Sequence, residues 1–209
     1  GQIGEAFVSH FIDIFSSRDV SPPDNLEHLI SSKITVEQNL QLCQVPTDEE
    51  VRRVVFSMGS LKAPGPDGMS PIFFKTYWHI IGPNVVSMVR DFFIRGYMLR
   101  ELNHTHIVLI PKSPTATSVP HYRSISLCNV AYKIISRIIA DRLKPLISSL
   151  ISPFQSAFIA GRNISDNVIL FREIIHCMKN KRGKGSLMDI KFDMAKSYDS
   201  MDGVFLRGS

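Results

Sequence analysis

Two prolines and two glycines fall within the seven residues Lys62-Ala63-Pro64-Gly65-Pro66-Asp67-Gly68, and such a run excludes both helix and central strand. Whatever the chain folds into is divided there by an irregular loop. Before the loop, Thr47-Asp48-Glu49-Glu50 spells a capping box, with Thr47 to satisfy a free helix N–H and Glu50 to reach back. Val51, Val54, Val55 and Met58 then recur as one apolar face, and Gly59 is a natural stop. After the loop, Ser70-Pro71 reads as an N-cap followed by proline at the first helical position. Phe73, Phe74, Tyr77, Trp78 and Ile81 give that helix its face. Gly82-Pro83 is expected to break it before a second helix through Val85, Val86, Val89, Phe92 and Phe93, which ends at Gly96.

Upstream, Ile3, Phe7, Phe11, Ile14 and Phe15 recur at helical spacing, so the chain opens on an amphipathic helix. The pattern weakens over 16–46, which reads as a connecting segment; the division is therefore a connector over 1–46 and a main domain over 47–209. Downstream, His106-Ile107-Val108-Leu109-Ile110 before Pro111 predicts a buried strand, followed by a loop from Lys112 to Arg123. A long helix starts near Asn129, carries Ile134, Ile135, Ile138, Ile139 and Leu143, and is expected to end before Pro145. Its other face holds Lys133, Arg137, Arg142 and Lys144. Residues 152–162 read as a loop, and Asp166 as the cap of a further helix through Leu170, Phe171, Ile174 and Met178. A basic turn over 179–185 leads into a last strand over 187–193. The fold class is α+β and helix-rich, with short strands at about 105–110 and 187–193.

The bulk numbers exclude some classes. No apolar run is long enough to span a bilayer, since the best candidate, 131–143, is interrupted by Lys133, Arg137, Asp141 and Arg142. Cys43, Cys128 and Cys177 are far apart and odd in number, which argues against a disulfide framework or a zinc knuckle; they read as small buried hydrophobes. A net charge of +5 leans towards an anionic partner without naming one.

Alternation in the last strand puts Met188, Ile190 and Phe192 on one side and Asp189, Lys191 and Asp193 on the other. Two readings of Asp193 stand. A carboxylate at a strand end is a sensible Mg²⁺ ligand, but Asp193 serves equally as the cap of a short helix with Asp199 simply exposed, and acidic caps are much the commoner.

Several blocks occur in a recognisable order. They are 62–68, then Asn103-His104-Thr105-His106-Ile107-Val108-Leu109-Ile110-Pro111-Lys112, then Tyr122-Arg123-Ser124-Ile125-Ser126-Leu127-Cys128-Asn129-Val130. Gln155-Ser156-Ala157-Phe158, Gly161-Arg162 and Phe192-Asp193-Met194-Ala195-Lys196-Ser197-Tyr198-Asp199 complete the series. From about Thr47 to Leu206 the chain resembles the reverse transcriptases of LINE-type (non-LTR) retrotransposons, in wording closest to plant elements. Group II intron maturases share the triphosphate-gripping and aspartate motifs but fit less well between them.

The resemblance implies a partial right-hand polymerase, with fingers around Lys112 to Arg162 and a palm beginning at the strand that ends in Asp193. Asp193 corresponds to the first catalytic aspartate, which holds Mg²⁺, with the carbonyl of Met194 completing one coordination sphere. Lys112 and Arg123 correspond to the residues that grip the incoming triphosphate, and Tyr198 to the bulky residue that discourages a 2′-hydroxyl. Gln155, Phe158, Gly161 and Arg162 match a block along the template and the nucleotide pocket. The implied partners are an RNA template, a DNA primer and a deoxynucleoside triphosphate, and the implied place of action is the nucleus.

Departures from the family pattern accompany the match. Ser124 replaces a proline, Ser197 an alanine and Gly203 a tryptophan, while Asp189 adds a charge beside Asp193. The second catalytic carboxylate pair is not found among the 209 residues, so these residues alone are expected to be inactive. A non-catalytic RNA- or DNA-binding module, drawing on Lys133, Arg137, Arg142, Lys144 and the 179–184 turn, and a decayed relic are the alternatives.

Overall fold

The structure, a computed structural model, describes residues 2–16, 33–180, 188 and 190. It divides into two compact units. One comprises 33–114 with 122–162; the other gathers the N-terminal segment, 115–121 and the segment from Asn163 onward.

In the first unit the helices are α2 (Val36–Cys43), α3 (Asp48–Ser57), α4 (Pro71–Thr76), α5 (Trp78–Arg95), α6 (Arg100–Asn103) and α7 (Val130–Leu150). A single hairpin, β1 (Thr105–Pro111) with β2 (Tyr122–Cys128), joins α6 to α7. The core is where α3, α5 and α7 meet. Val51, Val54 and Val55 of α3 face Val85, Val86 and Val89 of α5 and Ile134, Ile135 and Ile138 of α7, all buried. Each such side chain contributes about 1.5–3 kcal/mol by leaving water, so this contact fixes α7, and with it both ends of the candidate site.

The N-cap of α3 is Thr47, whose hydroxyl accepts from Glu50 N, as the sequence leads one to expect. Glu50 does not reach back. Its carboxylate instead takes the Arg142 guanidinium of α7. The connecting segment contains a helix of its own, α2, closed by a full capping box between Thr35 and Gln38.

Both prolines expected to end helices are passed through. The break lies at Tyr77, and α5 runs on across Pro83. Pro83 costs the helix one bond, but Trp78 closes over Gly82 one turn back and Val85, Val86 and Val89 anchor the next turns in the core. Likewise α7 continues across Pro145 to Leu150. Gly96 ends α5 in the left-handed conformation, at φ 66°.

The predicted strand is present, but it is not buried: Ile107, Val108 and Ile110 are each more than two-fifths exposed. Its partner β2 falls partly on residues read as loop. Of the strand expected over 187–193 only Met188 and Ile190 are among the described residues.

In the second unit, α1 (Gln2–Phe15) forms where the periodicity places it, and α8 (Ile164–Asn180) carries the later apolar stripe. Asn163 rather than Asp166 caps α8, its Oδ1 accepting from Ser165 N at 3.0 Å; Asp166 lies within the first turn. The three cysteines are free thiols, but Cys43 and Cys177 are exposed rather than buried. No described helix is long and apolar enough to cross a membrane.

Candidate nucleic-acid interface

The hairpin brings two of the expected residues together. In its register Ile110 faces Arg123 and Pro111 faces Tyr122, and Lys112 follows directly on β1. Directly opposed residues of an antiparallel pair share a face, so Arg123 stands beside Ile110 and one step from Lys112, at the open end of the hairpin. Both cations are exposed. Two cations held on one rigid end, over an apolar face that includes Val108, Ile110 and Ile125, suit a polyanion with a flat organic part.

The base of the hairpin is locked from inside. Asn129 is 2% exposed and makes every polar contact its amide offers on the side it faces. Its Oδ1 accepts from Asp67 N at 3.2 Å, and its Nδ2 donates to the carbonyls of Glu101 and Leu102 at 3.1 and 3.2 Å. Gly65 lies so close that an added Cβ would stand 2.3 Å from that Oδ1 and 2.4 Å from the Asn129 N. Lys133 Nζ donates to Ala63 O at 2.8 Å. The 62–68 loop is thus clipped onto the start of α7. From the sequence, Asn129 reads only as a helix start; a polar residue between an apolar strand and an apolar helix was the available signal.

The basic face of α7 is largely consumed by such contacts. Lys133 holds the loop, Arg137 pairs with Asp141 at 2.9 Å, and Arg142 pairs with Glu50. Only Lys144 of that set is left facing solvent without a partner among the described residues. A non-catalytic module built on four solvated cations of α7 is not what these contacts leave.

At the far end of α7, the 152–162 loop presents Gln155 and Phe158 and is fastened by Arg162. One guanidinium nitrogen donates to Ser152 O at 2.5 Å and Gln155 O at 2.6 Å. The other donates to Ser148 O at 3.2 Å and Ile151 O at 3.4 Å. Gly161 has φ 79° and Phe158 has φ 64°, the latter a conformation costing a residue with a side chain about 1–2 kcal/mol. Phe158 is fully exposed and Phe154 three-quarters so. Beside this loop Asp141, Lys144, Pro145, Ser148, Ile159 and Ala160 line an open cleft of about 380 Å³.

Asp193, Met194 and Tyr198, with the departures Asp189, Ser197 and Gly203, lie outside the described residues. Among the described residues no group of three His, Cys, Asp or Glu side chains is placed to hold a metal ion.

Residues 110–205 match the family described as reverse transcriptase (RNA-dependent DNA polymerase). The chain is 29% identical over 202 residues, 96% of its length, to the transposon TX1 uncharacterized 149 kDa protein of Xenopus laevis. It is 30% identical over 140 residues, 67% of its length, to the retrovirus-related Pol polyprotein from type-1 retrotransposable element R2 of Nasonia vitripennis. To that from type-2 retrotransposable element R2DM of Drosophila melanogaster it is 26% identical over 156 residues, 74% of its length. The chain spans only 15%, 13% and 14% of these proteins.

Proposed function

Since the chain belongs to the reverse transcriptases of LINE-type, non-LTR retrotransposons, we propose that it supplies the triphosphate- and template-binding side of an RNA-directed DNA polymerase. The observation that carries this reading is the hairpin register, which sets Lys112 and Arg123 at one end of a rigid two-stranded element within the matched region. Lys112 serves as a point charge and Arg123 as a planar fork, a pairing suited to the oxygens of a triphosphate. Gln155, Phe158, Gly161 and Arg162 form the template side.

Nucleic-acid template and primer binding is general to the family, and so is a divalent metal. The finer proposals are an RNA template, a DNA primer, and Mg²⁺ held by Asp193 with the Met194 carbonyl, hard oxygen donors of the kind that ion takes. A divalent ion bound there supplies Lewis-acid activation of the primer 3′-hydroxyl and neutralises charge on the leaving pyrophosphate. Tyr198 as the sugar filter, a domain start near Thr47 and a nuclear place of action belong to the same proposal.

The test is binding of a fluorescent deoxynucleoside triphosphate to the chain with an annealed RNA template and DNA primer. Lys112→Ala and Arg123→Ala are each expected to weaken it by about tenfold, a loss in keeping with charge-assisted bonds. Arg95→Ala, which removes an exposed cation of α5 paired with Asp91, is the control. If Lys112→Ala and Arg123→Ala behave like that control, the proposal fails.

A further inference from the structure

Arg162 carries an arrangement that a simple contact to nucleic acid does not explain. A guanidinium has five N–H groups. Four of them point at the main-chain oxygens of Ser148, Ile151, Ser152 and Gln155. A two-pronged grip on a phosphate needs two adjacent free N–H groups, and every edge of this guanidinium already has at least one engaged. The charge is turned inward.

Those four oxygens span two structures. Ser148 lies in the last turn of α7 and Ile151 is its C-cap, and α7 has no basic residue of its own in that turn. The end of a helix leaves carbonyls unpaired and carries partial negative charge, and Arg162 answers both from eleven residues further on. Ser152 and Gln155 belong to the following loop. One side chain therefore ties the loop to the helix end.

The loop so held displays Phe158. Its backbone is in the left-handed region and its ring buries nothing within the described structure. A residue with a side chain is kept in that conformation only where its surroundings impose it. The Arg162 ties supply those surroundings. The exposed Lys144 shares a cleft with Ile159 and Ala160, the residues that follow Phe158, and offers a phosphate contact beside the same loop.

We propose that Arg162 is a positioning residue, acting through the main chain to hold the Phe158 ring ready to stack on a base of single-stranded RNA. This rests on the nucleic-acid reading above and gives it a specific device. An apolar ring stacks on any base with little regard to sequence, so the platform suits a template that must pass through.

The experiment titrates the chain against single-stranded RNA carrying 2-aminopurine, whose emission drops on stacking, at a series of salt concentrations. Phe158→Ala is expected to abolish the drop and weaken binding by about tenfold, the effect of losing one base–aromatic stack. Phe158→Trp should retain both. Arg162→Ala and Arg162→Lys should each resemble Phe158→Ala, because lysine keeps the charge but not the fork, and the salt slope should stay that of the original chain. Loss of a phosphate contact instead lowers that slope by about one. Retained affinity in Arg162→Lys, or a reduced slope in Arg162→Ala, overturns the inference. Since Phe158 buries nothing, its alanine variant tests the platform even where an Arg162 variant folds poorly, and unchanged binding there also overturns it. Absence of binding by the original chain at low salt sinks the nucleic-acid reading itself; binding that no variant alters sinks the platform alone.

Discussion

Arg142 and Glu50, 92 residues apart, form a two-pronged ion pair between α7 and α3, with Nε to Oε1 at 3.0 Å and the terminal nitrogen to Oε2 at 2.7 Å. The same guanidinium donates to the carbonyls of Leu42 and Gln44 and lies 5.0 Å from the Phe93 ring centre. The side chains are only 13% and 19% exposed. One residue of α7 thus joins the C-terminal end of α2, the start of α3 and the face of α5. Cutting it to alanine leaves a part-buried carboxylate alone, a change that costs about 3 kcal/mol or more. Arg142→Lys keeps the charge but not the fork and is expected to lose about 2 kcal/mol. Urea unfolding measures both; equal stability of Arg142→Lys and the original chain would contradict the geometry.

Asn129 gives a second stability test. Asn129→Ala strands Asp67 N and two carbonyls, an expected loss of about 3 kcal/mol. Asn129→Asp should be no better, because it turns an anionic oxygen towards the carbonyls of Glu101 and Leu102. Gly65→Ala presses on the backbone at Cys128 and Asn129, which cannot swing aside as a flexible side chain can. It is expected to cost about 2–3 kcal/mol. Denaturant midpoints of the three variants, compared with Gly68→Ala, where no neighbour lies within reach and only the positive φ is penalised, separate the packing effect from the conformational one.

Acid should loosen α2. The carboxyl of Glu37 is held below its ordinary range, first by a hydrogen bond from the backbone and then by one from the Thr35 side chain. A carboxyl lowered in the folded chain adds stability that is fully present above its ordinary value and is lost as pH falls through the lowered one. Carboxyl NMR titration should place the Glu37 midpoint below that of an unstructured glutamate, and Thr35→Ala should move it up. A midpoint unmoved by Thr35→Ala would mean that the cap is not what holds the proton off.

What could be read in advance followed how local its cause was. Thr47 as a cap, Gly96 as a stop and the apolar faces of α3 and α7 depend on neighbours within one or two turns, and they are where the pattern puts them. Glu50 departs from its expected role because a capping-box glutamate and one end of a long-range ion pair look alike in sequence. Pro83 and Pro145 read as stops because a proline's cost is local, whereas the burial that outweighs it at Pro83 is tertiary. The second strand is not legible from Ser124-Ile125-Ser126-Leu127 alone, although these residues alternate, since it exists only by pairing with β1. At the site, Lys112 and Arg123 stand out by resemblance alone, and their adjacency comes from the hairpin. The left-handed backbone of Phe158 and the inward turn of Arg162 had no signal in the residues at all.

That backbone allows one more test, independent of any ligand. Phe158 is fully exposed, so removing its ring should cost the fold almost nothing, and Phe158→Ala should unfold at nearly the same urea concentration as the original chain. Alanine retains a Cβ and hence the penalty at φ 64°, which glycine does not. Phe158→Gly therefore gains about 1–2 kcal/mol in the folded state and gives back roughly 0.5–1 kcal/mol through the freer unfolded chain. The net expectation is a glycine variant more stable than the alanine variant by about 0.5–1 kcal/mol, with the stacking platform lost in both. A chain that becomes firmer on losing an exposed aromatic holds that ring against its own stability. If glycine is instead the less stable of the two, the conformation at Phe158 is not strained, and the ties from Arg162 are fastening a loop that would adopt it unaided.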